Sequence, residues 1–131
     1  MRNVVLDTNV LVSALWSDNS NPNRVVEMIF TNEAVPYLNE EIIEEYCEVL
    51  FRAKLGFPKD KILGLLHEIT KKGIFAESVV SDILFIDESD RKFYDIANTN
   101  EAILITGNLK HYPKESFILS PLAFLQGWRN I

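Results

Sequence analysis

Cysteine and histidine are scarce in this chain of 131 residues. Cys47 is the only cysteine, and the two histidines, His67 and His111, are far apart in the sequence. A single thiol cannot form an internal disulfide, so we expect the chain to fold in a reducing compartment. These three side chains also provide no ligand set for a zinc site.

Long apolar runs are absent as well. No run approaches the roughly 20 residues that a membrane-spanning helix needs. The first residues, Met1-Arg2-Asn3 followed by Val4-Val5-Leu6-Asp7, lack the apolar core and cleavage site of a secretory signal peptide. We therefore expect a cytoplasmic protein.

Positive charge is in deficit, since the formal net charge is −6. This argues against a protein that holds nucleic acid on a broad basic surface, because neutralising phosphates requires clustered Lys and Arg. It does not exclude a metal-dependent nuclease, whose carboxylates bind cations that then attract the phosphate. Linker-like and low-complexity segments are also missing, and the length suits one compact unit, so we predict a single domain over residues 1–131.

Short apolar runs rich in β-branched residues alternate with helical patterns along the chain. Strands are predicted at residues 4–6, 35–38, 102–106 and 117–119, with at most one short strand in 75–86. Helices are predicted at residues 10–15, 24–30, 40–53, 59–72, 90–98 and from 121 onward. This alternation predicts an α/β fold, with three α/β/α layers around a mainly parallel sheet. Such sheets place their sites at the carboxyl ends of the strands, which are Asp7-Thr8-Asn9 and Thr106-Gly107-Asn108 here.

Asp7 is the first candidate site residue, because it lies between a buried strand and a mostly apolar helix. Its carboxylate would leave the sheet where a ligand binds. A structural role as a helix cap or turn former is the alternative. Burying a carboxylate costs several kcal/mol unless it is paired or bound to a metal.

Glu45 is the second candidate. The apolar residues of the helix that begins at Glu40 form one face, and Glu45 lies at the edge of that face. Glu41, Glu44 and Glu48 are predicted to point to solvent. The alternative for the whole acidic run is a solvated helix surface.

Asp90 is the third candidate. At helical spacing it shares a side with the apolar residues Phe93 and Ala97, whereas Asp95 is predicted to point outward. The alternative is an acid that only stabilises the positive end of a helix, as the neighbouring Asp87 does.

Three acids gathered at one sheet edge would repel one another, so the cluster makes chemical sense chiefly with cations bound. Oxygen ligands of this kind suit Mg²⁺ or Mn²⁺.

Four stretches of the chain resemble the PIN-domain family, specifically the VapC-like toxin components of prokaryotic toxin–antitoxin pairs. They are Val5-Leu6-Asp7-Thr8-Asn9-Val10-Leu11-Val12-Ser13-Ala14, Glu45-Tyr46-Cys47-Glu48-Val49-Leu50, Asp87-Glu88-Ser89-Asp90-Arg91-Lys92-Phe93 and Ile105-Thr106-Gly107-Asn108. The resemblance implies a PIN-like fold, Mg²⁺ or Mn²⁺ at a carboxylate cluster, and endoribonuclease activity. It also implies an RNA substrate, an antitoxin protein as partner, and a homodimer.

Carried over position by position, the resemblance makes Asp7, Glu45 and Asp90 the catalytic and metal-binding acids. Asn9 and Thr106 match the family's supporting polar positions. Many relatives have a fourth acid where this chain has Asn108, and a neutral amide would bind a second cation more weakly.

The mechanism expected from the sequence depends on the metal. No histidine is expected beside these motifs to act as a general base, so activation of water falls to the cation. Four basic residues lie close to these motifs in the sequence: Arg91, Lys92, Lys110 and Lys114. They are either ordinary surface charges or part of a positive field that attracts RNA.

Two other functions stay open on the sequence. A haloacid-dehalogenase-like phosphatase has a similar opening strand and aspartate, but Asn9 stands where that family needs a second aspartate. A PIN domain that has lost its metal and acts only as a binding module is the second alternative.

Overall fold

The computed structural model describes residues 2–129 and has an α/β architecture. Its strands are β1 Arg2–Leu6, β2 Ala34–Leu38, β3 Ile74–Phe75, β4 Ile103–Ile105 and β5 Ile118–Leu119. Its α-helices are α1 Thr8–Trp16, α2 Asn21–Phe30, α3 Glu40–Leu50, α4 Lys59–Lys72, α5 Arg91–Thr99 and α6 Pro121–Arg129. Short 3₁₀ turns occupy Ala53–Leu55, Glu88–Asp90 and Leu109–His111.

The five strands form one sheet in the order β3-β2-β1-β4-β5, and every pairing is parallel. Val4, Val5 and Leu6 of the central strand β1 are buried, as expected for a parallel sheet covered on both faces. The predicted three-layer α/β/α fold is thereby confirmed. Because all strands run the same way, their carboxyl ends share one edge, and Asp7 and Thr106 lie on it.

Several element boundaries differ from the predicted ones. Helix α3 ends at Leu50 and not near residue 53, because the chain there tightens into a 3₁₀ turn closed by Gly56 at a φ of 66°. Helix α2 begins earlier than predicted, since the Ser20 hydroxyl accepts a hydrogen bond from the Asn23 amide. Asp90 lies in a 3₁₀ turn just before α5 and not inside the helix.

The orientation predicted for Asp95 was wrong. This residue was predicted to point outward, yet it is 3% exposed and accepts a hydrogen bond from the Ser81 amide at 3.2 Å. The reason is that the irregular segment after β3 folds over this side of α5. Helical periodicity identifies the apolar face of a helix, but it does not show that a loop covers a second face.

Within residues 2–129, no helix combines the length and the apolar character that crossing a membrane requires.

Candidate active site

The Asp7 carboxylate is fixed at the end of β1 by two hydroxyl groups. It is 6% exposed, and its Oδ2 atom accepts hydrogen bonds from Thr106 and from Tyr112, each at 2.9 Å. Burial raises the pKa of Asp7, and the charge of Glu45 adds to that rise. The two hydroxyls and the backbone amide of Asn9 lower the pKa. Asp7 is the N-cap residue of α1, but its side chain makes no capping hydrogen bond to that helix. The Thr106 and Tyr112 hydroxyls are therefore the contacts that orient its carboxylate.

Glu45 projects from α3 toward Asp7. The Thr8 hydroxyl donates a hydrogen bond to Oε2, and the Lys92 ammonium lies 2.7 Å from Oε1. The helix is held against β1 by Tyr46, whose hydroxyl donates to the Leu6 carbonyl at 2.6 Å. Glu45 is half-buried, whereas the other three glutamates predicted to face solvent are exposed: Glu41, Glu44 and Glu48. The predicted orientation of the helix is confirmed.

Asp90 carries a buried oxygen without a hydrogen-bond donor. Its side chain is 13% exposed, and its Oδ2 atom has no hydrogen-bond partner among the described residues. His111 Nδ1 lies 3.4 Å from that oxygen, which is within ion-pair distance but does not make a hydrogen bond. Burial, followed by repulsion from Asp7, Asp87 and Glu45, raises the pKa of Asp90 to about 6, with His111 acting in the opposite direction. The lone pairs of this oxygen are therefore available to a cation.

The chemistry of these donors suits a divalent cation. The charge of Glu45 adds to the raised pKa of Asp7, the charges of Asp7 and Glu45 add to that of Asp90, and all of the ligating atoms are oxygens. Among the described residues, no three acidic, histidine or cysteine side chains are already arranged as a metal-binding group. Lys92 is bound to Glu45 in this arrangement, and a cation would share Glu45 with it. The observation that favours a cation here is the buried Asp90 oxygen, which accepts no hydrogen bond from the described residues.

The supporting polar residues connect the ends of β1 and β4. Asn9 Oδ1 accepts a hydrogen bond from the Gly107 amide at 2.9 Å, and Asn9 Nδ2 lies 3.5 Å from the Thr106 hydroxyl. The backbone amide of Asn108 donates to the Thr106 hydroxyl at 3.0 Å, while the side chain of Asn108 is exposed. A Cβ atom on Gly107 would lie only 3.2 Å from Asn9 Oδ1. Thr106 thus links this loop to Asp7.

Two site residues were missed in the sequence. The expectation that no histidine lies beside the motifs was wrong, because the 3₁₀ turn after Asn108 brings His111 to Asp90. Its position three residues beyond the Thr106-Gly107-Asn108 motif was the available signal. Tyr112 reads as an ordinary core aromatic, and nothing local in the sequence indicates that its hydroxyl reaches Asp7.

The four cations near the motifs have different roles. Arg91 is held by the Ser81 and Ile83 carbonyls and by Glu88, so its guanidinium ties the segment after β3 to α5. Lys110 and Lys114 are exposed. Of these four, Lys92 is the one whose charged group contacts a candidate metal-binding acid.

Comparison with known proteins shows which family the chain belongs to. A sequence profile of the PIN domain family matches residues 3–110. An uncharacterized protein of Methanocaldococcus jannaschii is 31% identical over 109 residues, which cover 80% of this chain and 70% of that protein. The match removes the haloacid-dehalogenase alternative, and it spans all three candidate acids. The chain belongs to the PIN domain family.

Proposed function

We propose that this protein is an endoribonuclease that uses Mg²⁺ or Mn²⁺ to hydrolyse RNA phosphodiester bonds. Membership of a family whose domains are generally nucleases supports a hydrolase acting on nucleic acid. The observation that supports metal dependence is the buried Asp90 oxygen, which accepts no hydrogen bond from the described residues and whose carboxyl group is repelled by Asp7 and Glu45.

Each acid has a defined task in this proposal. Asp7, Glu45 and Asp90 would hold the cation, with Asp7 oriented by the Thr106 and Tyr112 hydroxyls. When bound, a divalent ion supplies activation of water and stabilisation of the negative charge that develops on the phosphate. The shielded position of Asp7 keeps its oxygens from competing interactions with bulk water.

The proposal extends to biological role and partners. The four motif stretches resemble toxin components, so we propose that the chain is the toxin of a toxin–antitoxin pair, inhibited by an antitoxin protein and active as a homodimer. The resemblance supports the toxin role, the antitoxin partner and the homodimer, none of which depends on the chemistry of the site.

Purified protein incubated with single-stranded RNA and Mg²⁺, Mn²⁺ or EDTA tests the activity directly. We expect internal cleavage with either metal and none with EDTA, and no release of phosphate from a small phosphomonoester. Cleavage that persists unchanged in EDTA would contradict the proposal.

A non-catalytic binding module is the second candidate. It is favoured by the contact of Lys92 with Glu45, which already gives one acid a cationic partner, and by the neutral Asn108. This candidate predicts RNA binding without cleavage at any metal concentration. The same assay, accompanied by a filter-binding measurement, separates the two.

A further inference from the structure

Lys92 is held rigidly at the candidate site. Its ammonium lies 2.7 Å from Glu45 Oε1, also donates a hydrogen bond to the Ser89 carbonyl, and lies 5.1 Å from the centre of the Phe93 ring. The side chain is only 13% exposed. A lysine bound in this way is fixed in position and differs from an ordinary mobile surface charge.

The groove beside Glu45 would otherwise repel a phosphate. It has a volume of about 450 Å³, and its lining is Glu41, Glu44, Glu45, Glu48, Ser89 and Lys92. Among the described residues that line it, Lys92 is the only cation. Lys92 is thus the described residue of this lining whose charge attracts a phosphodiester.

The charge balance of the site suits a single divalent ion. Three ionised carboxylates contribute three negative charges, and Lys92 offsets one of them through Glu45. One divalent cation then neutralises the remaining two charges. A carboxylate at position 108 would add a fourth negative charge and favour a second cation, but this chain has the neutral Asn108 there.

We propose that Lys92 provides the positive charge that a second cation would otherwise provide, so that the site binds one divalent ion with the lysine ammonium beside the substrate phosphate. The inference rests on the proposed nuclease function and assigns a role to a residue of the same site. Fixed positive groups directed at developing negative charge are among the largest contributions to catalysis.

Calorimetric titration of Mn²⁺, combined with RNA cleavage at saturating Mn²⁺, tests the inference on wild type and Lys92→Met. Wild type should bind one Mn²⁺ per chain. The variant should bind Mn²⁺ on the order of 10-fold more tightly, because a like charge beside Glu45 is gone. Its cleavage rate should nevertheless fall by on the order of 100-fold. A merely structural role predicts weaker metal binding together with slower cleavage.

Lys72→Met is the matched control. Lys72 is also partly shielded, with 22% of its side chain exposed, pairs with Glu68 at 3.2 Å and donates to the Ile29 and Phe30 carbonyls. It lies on α4, outside the candidate site, so both readouts should match wild type. Lys92→Arg retains the charge and should keep the one-ion stoichiometry and a cleavage rate within about 10-fold of wild type.

The outcomes distinguish this inference from the proposed function. If the wild type neither binds Mn²⁺ nor cleaves RNA, both the proposed nuclease function and the inference about Lys92 are contradicted. A wild type that binds Mn²⁺ and cleaves, with Lys92→Met cleaving equally well, would overturn the inference alone, as would two Mn²⁺ ions per wild-type chain. If circular dichroism shows that Lys92→Met is unfolded, Lys92→Gln carries the same expectations.

Discussion

At the scale of single residues, the best-defined feature is the pair of hydroxyls on Asp7. Thr106 and Tyr112 both donate to Oδ2 at 2.9 Å. Burial and the neighbouring carboxylates raise the pKa of Tyr112 far above its ordinary value, so it remains a protonated donor at any working pH. Partners of this kind set the orientation of a metal ligand without touching the metal.

Tyr112→Phe should therefore weaken Mn²⁺ binding by about 10-fold, since groups that orient metal ligands typically contribute 10- to 100-fold to affinity. Tyr94→Phe is the control. Tyr94 also packs on Phe85, and its hydroxyl also donates to a carboxylate, that of Glu115, but it does not contact Asp7. Calorimetric titration of both variants decides the matter, and equal losses would mean that Tyr112 has no specific positioning role.

Asn108 is the residue at which this chain departs from many relatives. Its backbone amide donates to the Thr106 hydroxyl, which joins the Asn108 backbone to the site, while its side chain is exposed. Asn108→Asp should lower the Mn²⁺ concentration needed for half-maximal cleavage, because a carboxylate is a better ligand for a hard cation. Unchanged Mn²⁺ affinity and stoichiometry in the calorimeter would exclude Asn108 from the ligand set.

At the scale of elements, helix α3 determines which of its glutamates serves the site. The Tyr46 hydroxyl fixes the rotation of the helix against the end of β1, and Glu45 is then turned toward Asp7. The sequence was informative here because the apolar face of α3 is well defined. It failed for α5, where Asp95 is buried under a segment without regular structure.

Glu45→Gln should reduce cleavage by at least about 100-fold, because the amide loses both the negative charge and one ligand oxygen. Glu44→Gln and Glu48→Gln, on the same helix but exposed, should each remain within about threefold of wild type. The comparison requires rates at saturating Mn²⁺. Similar losses in all three variants would contradict the assignment of Glu45.

At the scale of the whole molecule, the site is assembled from parts that are distant in the sequence. The alternation of strands and helices predicted the layers and the sheet edge, and therefore the approximate position of Asp7 and Thr106. The contacts of Tyr112 with Asp7 and of Lys92 with Glu45 were not predictable, because each joins residues far apart in the chain. Such contacts follow from the packing of α3, α5 and the loop after β4, and no local pattern encodes them.

Burying Asp90 beside the other acids has a cost that should be visible in the stability of the metal-free protein. The folded-state pKa of Asp90 is about 6, above its ordinary value of 3.8. The contribution of a raised pKa to stability is fully present below the unfolded value and is lost as the pH rises through the folded one. In EDTA, wild type should therefore lose stability relative to Asp90→Asn between about pH 4 and pH 6.5. Denaturant unfolding at several pH values tests this, and parallel profiles would mean that burial and the neighbouring carboxylates do not raise the pKa of Asp90 in the folded state.

The most direct test of the central claim, that the carboxylates form a cation site for RNA hydrolysis, is cleavage of single-stranded RNA in saturating Mn²⁺ by wild type and Asp7→Asn. The amide keeps the shape of the side chain and an oxygen that can accept the Thr106 and Tyr112 hydrogen bonds, while it removes one charge from a repelling cluster. We predict that cleavage is abolished although the metal-free variant melts no lower than the metal-free wild type. Cleavage by Asp7→Asn at the wild-type rate would contradict the account.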